Sequence, residues 1–261
     1  MKILILGAGK MGSFFCDVLS FDNDVAMYDA DPRRLRFAYN CRRFSSLDEV
    51  DEFSPDMVLN AATVKYTIDA FREVMPHIGN NTVLADIASV KAGLPDFYTS
   101  AGHPYVSTHP MFGPTFANLD ALSQENAIII SEGDKSAIEF FDRLYRRLGL
   151  HIEHYTFREH DRTIAYSLSI PFASTLVFGA AMKPQPAPGT TFKRHMAIAR
   201  GLMSEDDYLL SEILFNADSV EPLDNIRAEL DNLRQIIARR DSGAMSAFLA
   251  RVRKNLTAPK E

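Results

Sequence analysis

The side chains able to do chemistry fall in three short stretches. The first is GAGKMG, which sets Gly7, Gly9 and Gly12 in the spacing G-x-G-x-x-G. Glycines at that spacing let a chain turn sharply, let a pyrophosphate approach the backbone, and let the following helix pack closely on its sheet. The free N–H groups at the start of that helix then face the phosphates of a dinucleotide. The second stretch is DIASVK, with Asp86, Ser89 and Lys91. The third is HPMFGP, residues 109–114, where His109 sits among stiff and apolar neighbours. An imidazole titrates near neutral pH, so His109 is a candidate general base. Pro110 restricts its backbone to extended conformations, and Met111 and Phe112 can exclude water beside it. For an isolated His-Pro pair, the plainer alternative is a ring satisfied by a loop carbonyl.

Strands and helices must position these groups. KILIL (2–6), VAMY (25–28), MVLN (57–60), VLADI (83–87), YVST (105–108) and AIIIS (127–131) are short apolar runs that read as strands. Segments with helical spacing, such as 67–75 and 135–148, lie between them. Strands that are apolar throughout and alternate with helices predict a parallel sheet covered on both faces. The expected fold is therefore α/β, with an N-terminal Rossmann-type doubly wound domain. The glycine run follows the first strand and opens a helix, which is the context a dinucleotide requires. The second strand ends near Asp29, close to the expected ~20 residues past the glycines. A carboxylate there accepts from ribose hydroxyls and repels a 2′-phosphate, favouring NAD over NADP. Arg33 and Arg34 would accommodate that phosphate if Asp29 turned away. Lys10 and Met11 within the turn, and Ala62 and Thr63 after MVLN, complete the cofactor candidates. Substrates in such sheets lie beyond the carboxyl ends of the strands, where DIASVK and HPMFGP fall.

The pattern changes near residue 157. Beyond it, apolar residues recur only at helical spacing, as in Leu223, Ile226, Leu230, Leu233 and Ile237, then Met245, Phe248, Leu249 and Val252. This predicts two domains: a dinucleotide-binding domain over 1–156 and an all-helical substrate and dimerisation domain over 157–261. The two stripes exceed what so short a domain buries, so a homodimer joined through the helical half is expected. The run IPFASTLVFGAAM (170–182) is shorter than the roughly 20 residues that span a bilayer, and reads as a buried helix. No signal-peptide pattern opens the chain. A soluble, cytoplasmic protein with no membrane partner is the expectation. A net charge of −6 with no long basic run argues against nucleic acid. Cys16 and Cys41 fit no disulfide framework, and His151, His154 and His195 form no ligand set, so free thiols and no metal are expected.

Taken together, Ser89 with Lys91, the run His109-Pro110-Met111-Phe112-Gly113-Pro114, and EHDRTIAY (159–166) resemble the prephenate and arogenate dehydrogenases of tyrosine biosynthesis. The resemblance covers nearly the whole chain. It implies NAD-dependent oxidative decarboxylation of prephenate to 4-hydroxyphenylpyruvate, with hydride transfer to the nicotinamide and aromatisation of the ring. It also implies His109 as the base at the substrate hydroxyl, with Ser89 holding the same hydroxyl. A helix N-cap is the alternative for Ser89, and Lys91 either orients the site or is solvated. Where such enzymes carry a carboxylate-binding arginine, TFKRHMAIARG (191–201) has Ala197. Arg200, one turn on, is the first replacement candidate, with Lys193 and Arg194 as competitors; a solvated helix face is the bland alternative for each. Ser169 and Phe172 stand where relatives often have histidines, so prephenate against arogenate stays open, with prephenate the reading adopted. His160 and Asp161 read as helix-start chemistry. Two other classes remain. A Rossmann dehydrogenase of β-hydroxy acids or imines would rely on a lysine in the helical half, where Lys183 and Lys193 match no pattern. A non-catalytic dinucleotide sensor would need the glycine turn but not His109.

Overall fold

The computed structural model describes residues 1–112 and 119–257, so Gly113 and Pro114 of the third motif lie outside the described residues. Its strands are β1 (Lys2–Leu6), β2 (Asp24–Tyr28), β3 (Arg42–Phe44), β4 (Met57–Asn60), β5 (Val83–Asp86), β6 (Tyr105–Pro110), β7 (Asn126–Ile130) and β8 (His151–Tyr155). The helices of the same half are α1 (Lys10–Leu19), α2 (Asp48–Phe53), α3 (Thr67–Val74), α4 (Leu94–Ala101) and α5 (Lys135–Arg147). After them come α6 (Phe157–Ile164), α7 (Ile170–Ala181), α8 (Thr190–Leu202), α9 (Asp207–Leu214), α10 (Val220–Arg239) and α11 (Ser242–Thr257).

The strands form one sheet in the order β3-β2-β1-β4-β5-β6-β7-β8. β1 occupies the interior because every second residue serves a different core. Ile3 and Ile5 pack with Phe15, Cys16 and Leu19 of α1 on one face. Leu4 and Leu6 pack with Val50, Phe53 and Phe71 on the other. This two-residue alternation between faces explains why the strand is apolar throughout. Each such side chain, fully buried, contributes roughly 1.5–3 kcal/mol. The six strands from β3 to β6 have the order of a dinucleotide-binding fold, and the direction of progression reverses between β1 and β4. Ligands bind beyond the strand ends at such a reversal.

The all-parallel expectation needs one amendment. β6 and β7 run antiparallel, with His109 opposite Ile128 and Pro110 opposite Ala127. Proline is tolerated here because it closes the strand rather than interrupting its ladder. Both cysteines are free, Cys16 buried and Cys41 half-buried.

The chain divides into two compact units, Met1–Asp161 and Arg162–Glu261. The division read from the sequence, 156/157, falls at the start of α6. The first turn of α6 stays with the sheet because Phe157 joins its core. The described residues of the second unit contain no strand. Ser169 is wholly buried there, its hydroxyl 2.7 Å from that of Ser219. The expected buried helix is not buried: no residue of α7 is, and Val177 stays 62% exposed. By length and composition, the helical run Phe157–Ala181 could cross a membrane. Its first turn, however, lies in the protein interior, with Phe157 and His160 buried.

Candidate active site

The glycine turn follows β1 directly. Gly7 has a φ of +97°, and a Cβ there would meet the Ala61 carbonyl oxygen at 2.9 Å. Gly12 is tighter still: its Cβ would fall 1.9 Å from the Gly7 carbonyl oxygen, so α1 presses against the turn. Gly9 faces open space, with nothing within 4 Å of a Cβ. It stands at the N-cap of α1, where no side-chain group caps the helix. An open backbone at an uncapped helix start suits a phosphate. Half-buried Met11 packs on the core beneath. A Gly12→Ala protein is expected to lose dinucleotide affinity by about five- to a hundredfold, since forced overpacking costs roughly 1–3 kcal/mol. Titration with the dinucleotide by protein fluorescence or calorimetry checks this.

Asp29 follows β2 and ties the turn in place. One carboxylate oxygen accepts from the Ala8 amide at 2.7 Å, and the other from the Asp31 amide at 2.8 Å. A carboxylate has about four acceptor positions, which leaves capacity for a ribose hydroxyl. Beside it lies a cleft of about 660 Å³ lined by Ala8, Gly9, Lys10, Ser13, Asp31 and three arginines, 33, 34 and 36. Asp31 chelates the Arg33 guanidinium at 2.8 and 2.9 Å. At the end of β4, buried Asn60 shapes the next loop: it accepts from the Ala62 amide and donates to the Thr67 carbonyl. Thr63 precedes a short helical turn there and is exposed.

His109 is the penultimate residue of β6, buried, one strand away from the Ser89 loop that follows β5. Its Nδ1 lies 3.0 Å from Nε2 of His160. Nδ1 of His160 in turn lies 3.1 Å from an Asp161 carboxylate oxygen. Lys91, wholly buried, donates to Asp86 at 2.6 Å and to the Thr108 carbonyl at 2.8 Å. The second Asp86 oxygen accepts from Tyr98 at 2.6 Å. Thr108 adds a bond to the Asp86 carbonyl, and its hydroxyl lies 2.8 Å from that of Tyr145. The backbone entering His109 is thus clamped from both sides. Lys91 is not solvated, as one reading of the sequence had it; it is an internal clamp. Ser89 is half-buried, and Gly93, not Ser89, is the N-cap of α4. Lys193, Arg194 and Arg200 all lie exposed on α8, in the second unit. Lys193 and Arg200, seven residues apart, share a helix face. Asp48, Asp51 and His77 form a surface trio, with His77 Nδ1 3.0 Å from Asp51.

The family description "Prephenate dehydrogenase, nucleotide-binding domain" matches residues 17–153, just over half of the chain. The chain belongs to the prephenate dehydrogenase family. Two relatives agree at low identity. The "Probable arogenate/prephenate dehydrogenase" of Methanocaldococcus jannaschii is 23% identical over 71% of this chain and 44% of its own length. The T-protein of Haemophilus influenzae is 21% identical over 95% of this chain and 65% of its own. This protein therefore spans less than two thirds of those relatives. The crystal structure of Aquifex aeolicus prephenate dehydrogenase with hydroxyphenyl propionate and NAD+ has the same fold. It matches with a TM-score of 0.84 at 19% identity, covering 98% of this chain and 96% of that one.

Within this member of the prephenate dehydrogenase family, His160 is the residue that sequence reasoning passed over. Helix-start chemistry belongs to its neighbours: Glu159 accepts from the Thr156 amide, and Thr156 Oγ1 accepts from the Glu159 amide. That is a capping box. His160 lies past it, fully buried. The spacing of Phe157, His160 and Ile164 puts all three on one face of α6, a signal that could have found it. Burial pushes the His109 pKa well below 6.5, with His160 and Lys91 adding to the effect. His160 is also lowered, mainly by burial, against the opposing pull of Asp161. The unfolded chain therefore takes up protons near pH 6.5 that the native state refuses, and stability falls as the pH drops below that value. The expected result is a Tm that declines from about pH 7.5 to about pH 5.5, and declines less in a His109→Asn protein. Thermal melts across that range check it.

Proposed function

We propose that this protein is a dehydrogenase that oxidises and decarboxylates prephenate, giving 4-hydroxyphenylpyruvate. The observation that carries the reading is His109: a buried imidazole held neutral, with one ring nitrogen engaged, toward the carboxyl ends of the parallel strands, where the glycine turn also lies. Gly9's open face and the uncapped start of α1 fit a dinucleotide. Gly7, Gly9, Lys10, Met11, Gly12, Ala62 and Thr63 would hold it, with Asp29 toward the ribose. When bound, it supplies the hydride acceptor.

The remaining steps fall to the chain's own residues. Nε2 of His109 takes the proton of the ring hydroxyl as hydride departs from the same carbon. Ser89 orients that hydroxyl. After carbon dioxide leaves and the ring becomes aromatic, His109 returns the proton to the phenolate oxygen, so no proton is gained or lost overall. Arg200, with Lys193 and Arg194 as alternatives, pairs with a substrate carboxylate. Lys91 acts through the Thr108 carbonyl and does not touch substrate.

NAD is the proposed cofactor, on the strength of Asp29. The cleft lined by Lys10, Arg33, Arg34 and Arg36 supports NADP as a second reading. Arogenate is the second substrate reading, since a relative is named for both and the chemistry at His109 is the same. A soluble, cytoplasmic homodimer is part of the proposal. Leu230 and Ile237 are each 59% exposed on α10, and no residue of α7 or α11 is buried, which suits cover by a second copy. Light scattering that returns a monomer would remove that part. Initial rates with prephenate and with arogenate, each with NAD and NADP, test the rest. Turnover of prephenate with NAD supports the reading; turnover of arogenate alone moves it to arogenate; turnover of neither overturns it.

A further inference from the structure

We infer that Asp161 and His160 are positioning residues that dictate which nitrogen of His109 carries the proton, leaving Nε2 as the acceptor. The inference rests on the reading of His109 as the base, but its first test needs no substrate. Every link lies within the first unit. Asp161 is a carboxylate and can only accept. The ring proton of His160 must then sit on Nδ1, which points at Asp161. The other nitrogen, Nε2 of His160, is left with a lone pair, and it faces Nδ1 of His109 at 3.0 Å. His109 therefore donates from Nδ1, and its Nε2 is bare. The carboxylate fixes the tautomer of a ring it does not touch.

The same chain of bonds supports the protonated state of the base. Burial opposes a charge on His109, and so does Lys91, which Asp86 holds nearby in the loop after β5. His160 repels His109 only when it is itself protonated, and burial keeps it neutral. Neutral His160 accepts from Nδ1–H, a bond that strengthens as His109 gains its second proton. When Nε2 takes the hydroxyl proton, the new imidazolium keeps its Nδ1 proton directed at His160. The proton later leaves by Nε2, and both rings end in their starting tautomers. Asp161 has a 40% exposed side chain, so a change there is mild for packing.

An Asp161→Asn amide can turn its N–H toward Nδ1 of His160. That would place the ring proton of His160 on Nε2, force His109 to accept at Nδ1, and leave Nε2 of His109 protonated. The test is a long-range 1H–15N correlation spectrum of 15N-histidine-labelled protein at about pH 8, without ligands. His109 is expected as the Nδ1–H tautomer in the natural protein and as Nε2–H in Asp161→Asn. Kinetics then follow: Asp161→Asn and His160→Leu should lower kcat about a hundredfold or more, with KM nearly unchanged. His160→Gln, whose amide oxygen can accept from Nδ1–H, should recover most of the rate. Nε2–H in the natural protein, or no change of tautomer in Asp161→Asn, overturns the inference. The expected tautomers with no turnover of prephenate or arogenate would instead fail the proposed function and leave this inference standing.

Discussion

A His109→Asn protein is expected to fold, bind the dinucleotide as before, and turn over its substrate about 10²–10⁴ times more slowly, the range a general base contributes. At roughly 1.4 kcal/mol for each factor of ten, this is about 3–5 kcal/mol of lost transition-state stabilisation. Asparagine is the informative choice because its amide can still donate to Nε2 of His160, which His109 Nδ1 faces in the natural protein. The buried partner is then not stranded, and the melting temperature should stay close to that of the natural protein. The residues proposed to hold the dinucleotide follow β1, β2 and β4, so its dissociation constant should be unaffected. Rapid-mixing measurement of the hydride-transfer step, alongside a dinucleotide titration, separates the two quantities. A rate within threefold of the natural protein's would remove His109 from the chemistry.

Lys91→Met should produce the largest loss of stability. Lys91 and Asp86 form an ion pair at 2.6 Å, with both side chains fully buried. Removing one partner leaves an uncompensated charge in the interior, which costs about 3–5 kcal/mol. Tyr98 and the Ala88 amide still donate to Asp86, but hydrogen bonds alone do not neutralise it. The Thr108 carbonyl loses a donor in the same step. Residue 108 adjoins His109, the proposed base, so activity per folded molecule should fall as well. In a double-mutant cycle, Asp86→Asn with Lys91→Met should cost less than the two single changes added together, because the second change removes the stranded charge. Thermal and urea unfolding of the four proteins checks this. Simple additivity would mean that the pair is not a coupled unit.

Much of the fold was legible, and the exceptions share a physical cause. The central strands are hydrophobic runs because both faces are buried, as Ile3 and Leu4 illustrate on opposite sides of one strand. β3 and β8 escaped notice because they are polar edge strands, RRF and HIEHY. One flank of each faces solvent, and charged edges of this kind discourage pairing with other chains. The glycine turn was legible because only glycine satisfies a φ of +97° at position 7 and a position 12 where a Cβ would fall 1.9 Å from the Gly7 carbonyl oxygen. Lys91 was not, because its partner Asp86 lies five residues away across an irregular loop, a spacing that belongs to neither helix nor strand. Ser169, which stands where relatives often have a histidine, spends its hydroxyl on Ser219 inside the helical unit. His160 was misjudged by its position near a helix start, when the apolar face it shares with Phe157 and Ile164 was the better guide. α7 was read as buried because apolar composition does not say what covers a helix.

In the proposed reaction one active site couples hydride removal to loss of a carboxylate, with His109 holding the proton between the two. Product stoichiometry tests it most directly. Purified protein, limiting prephenate and excess NAD would be run to completion, with NADH followed by absorbance, released carbon dioxide by mass spectrometry and the aromatic product by chromatography. Equal amounts of NADH, carbon dioxide and 4-hydroxyphenylpyruvate are expected, with no lag between them. NADH formed without carbon dioxide, or carbon dioxide released without NADH, would contradict it.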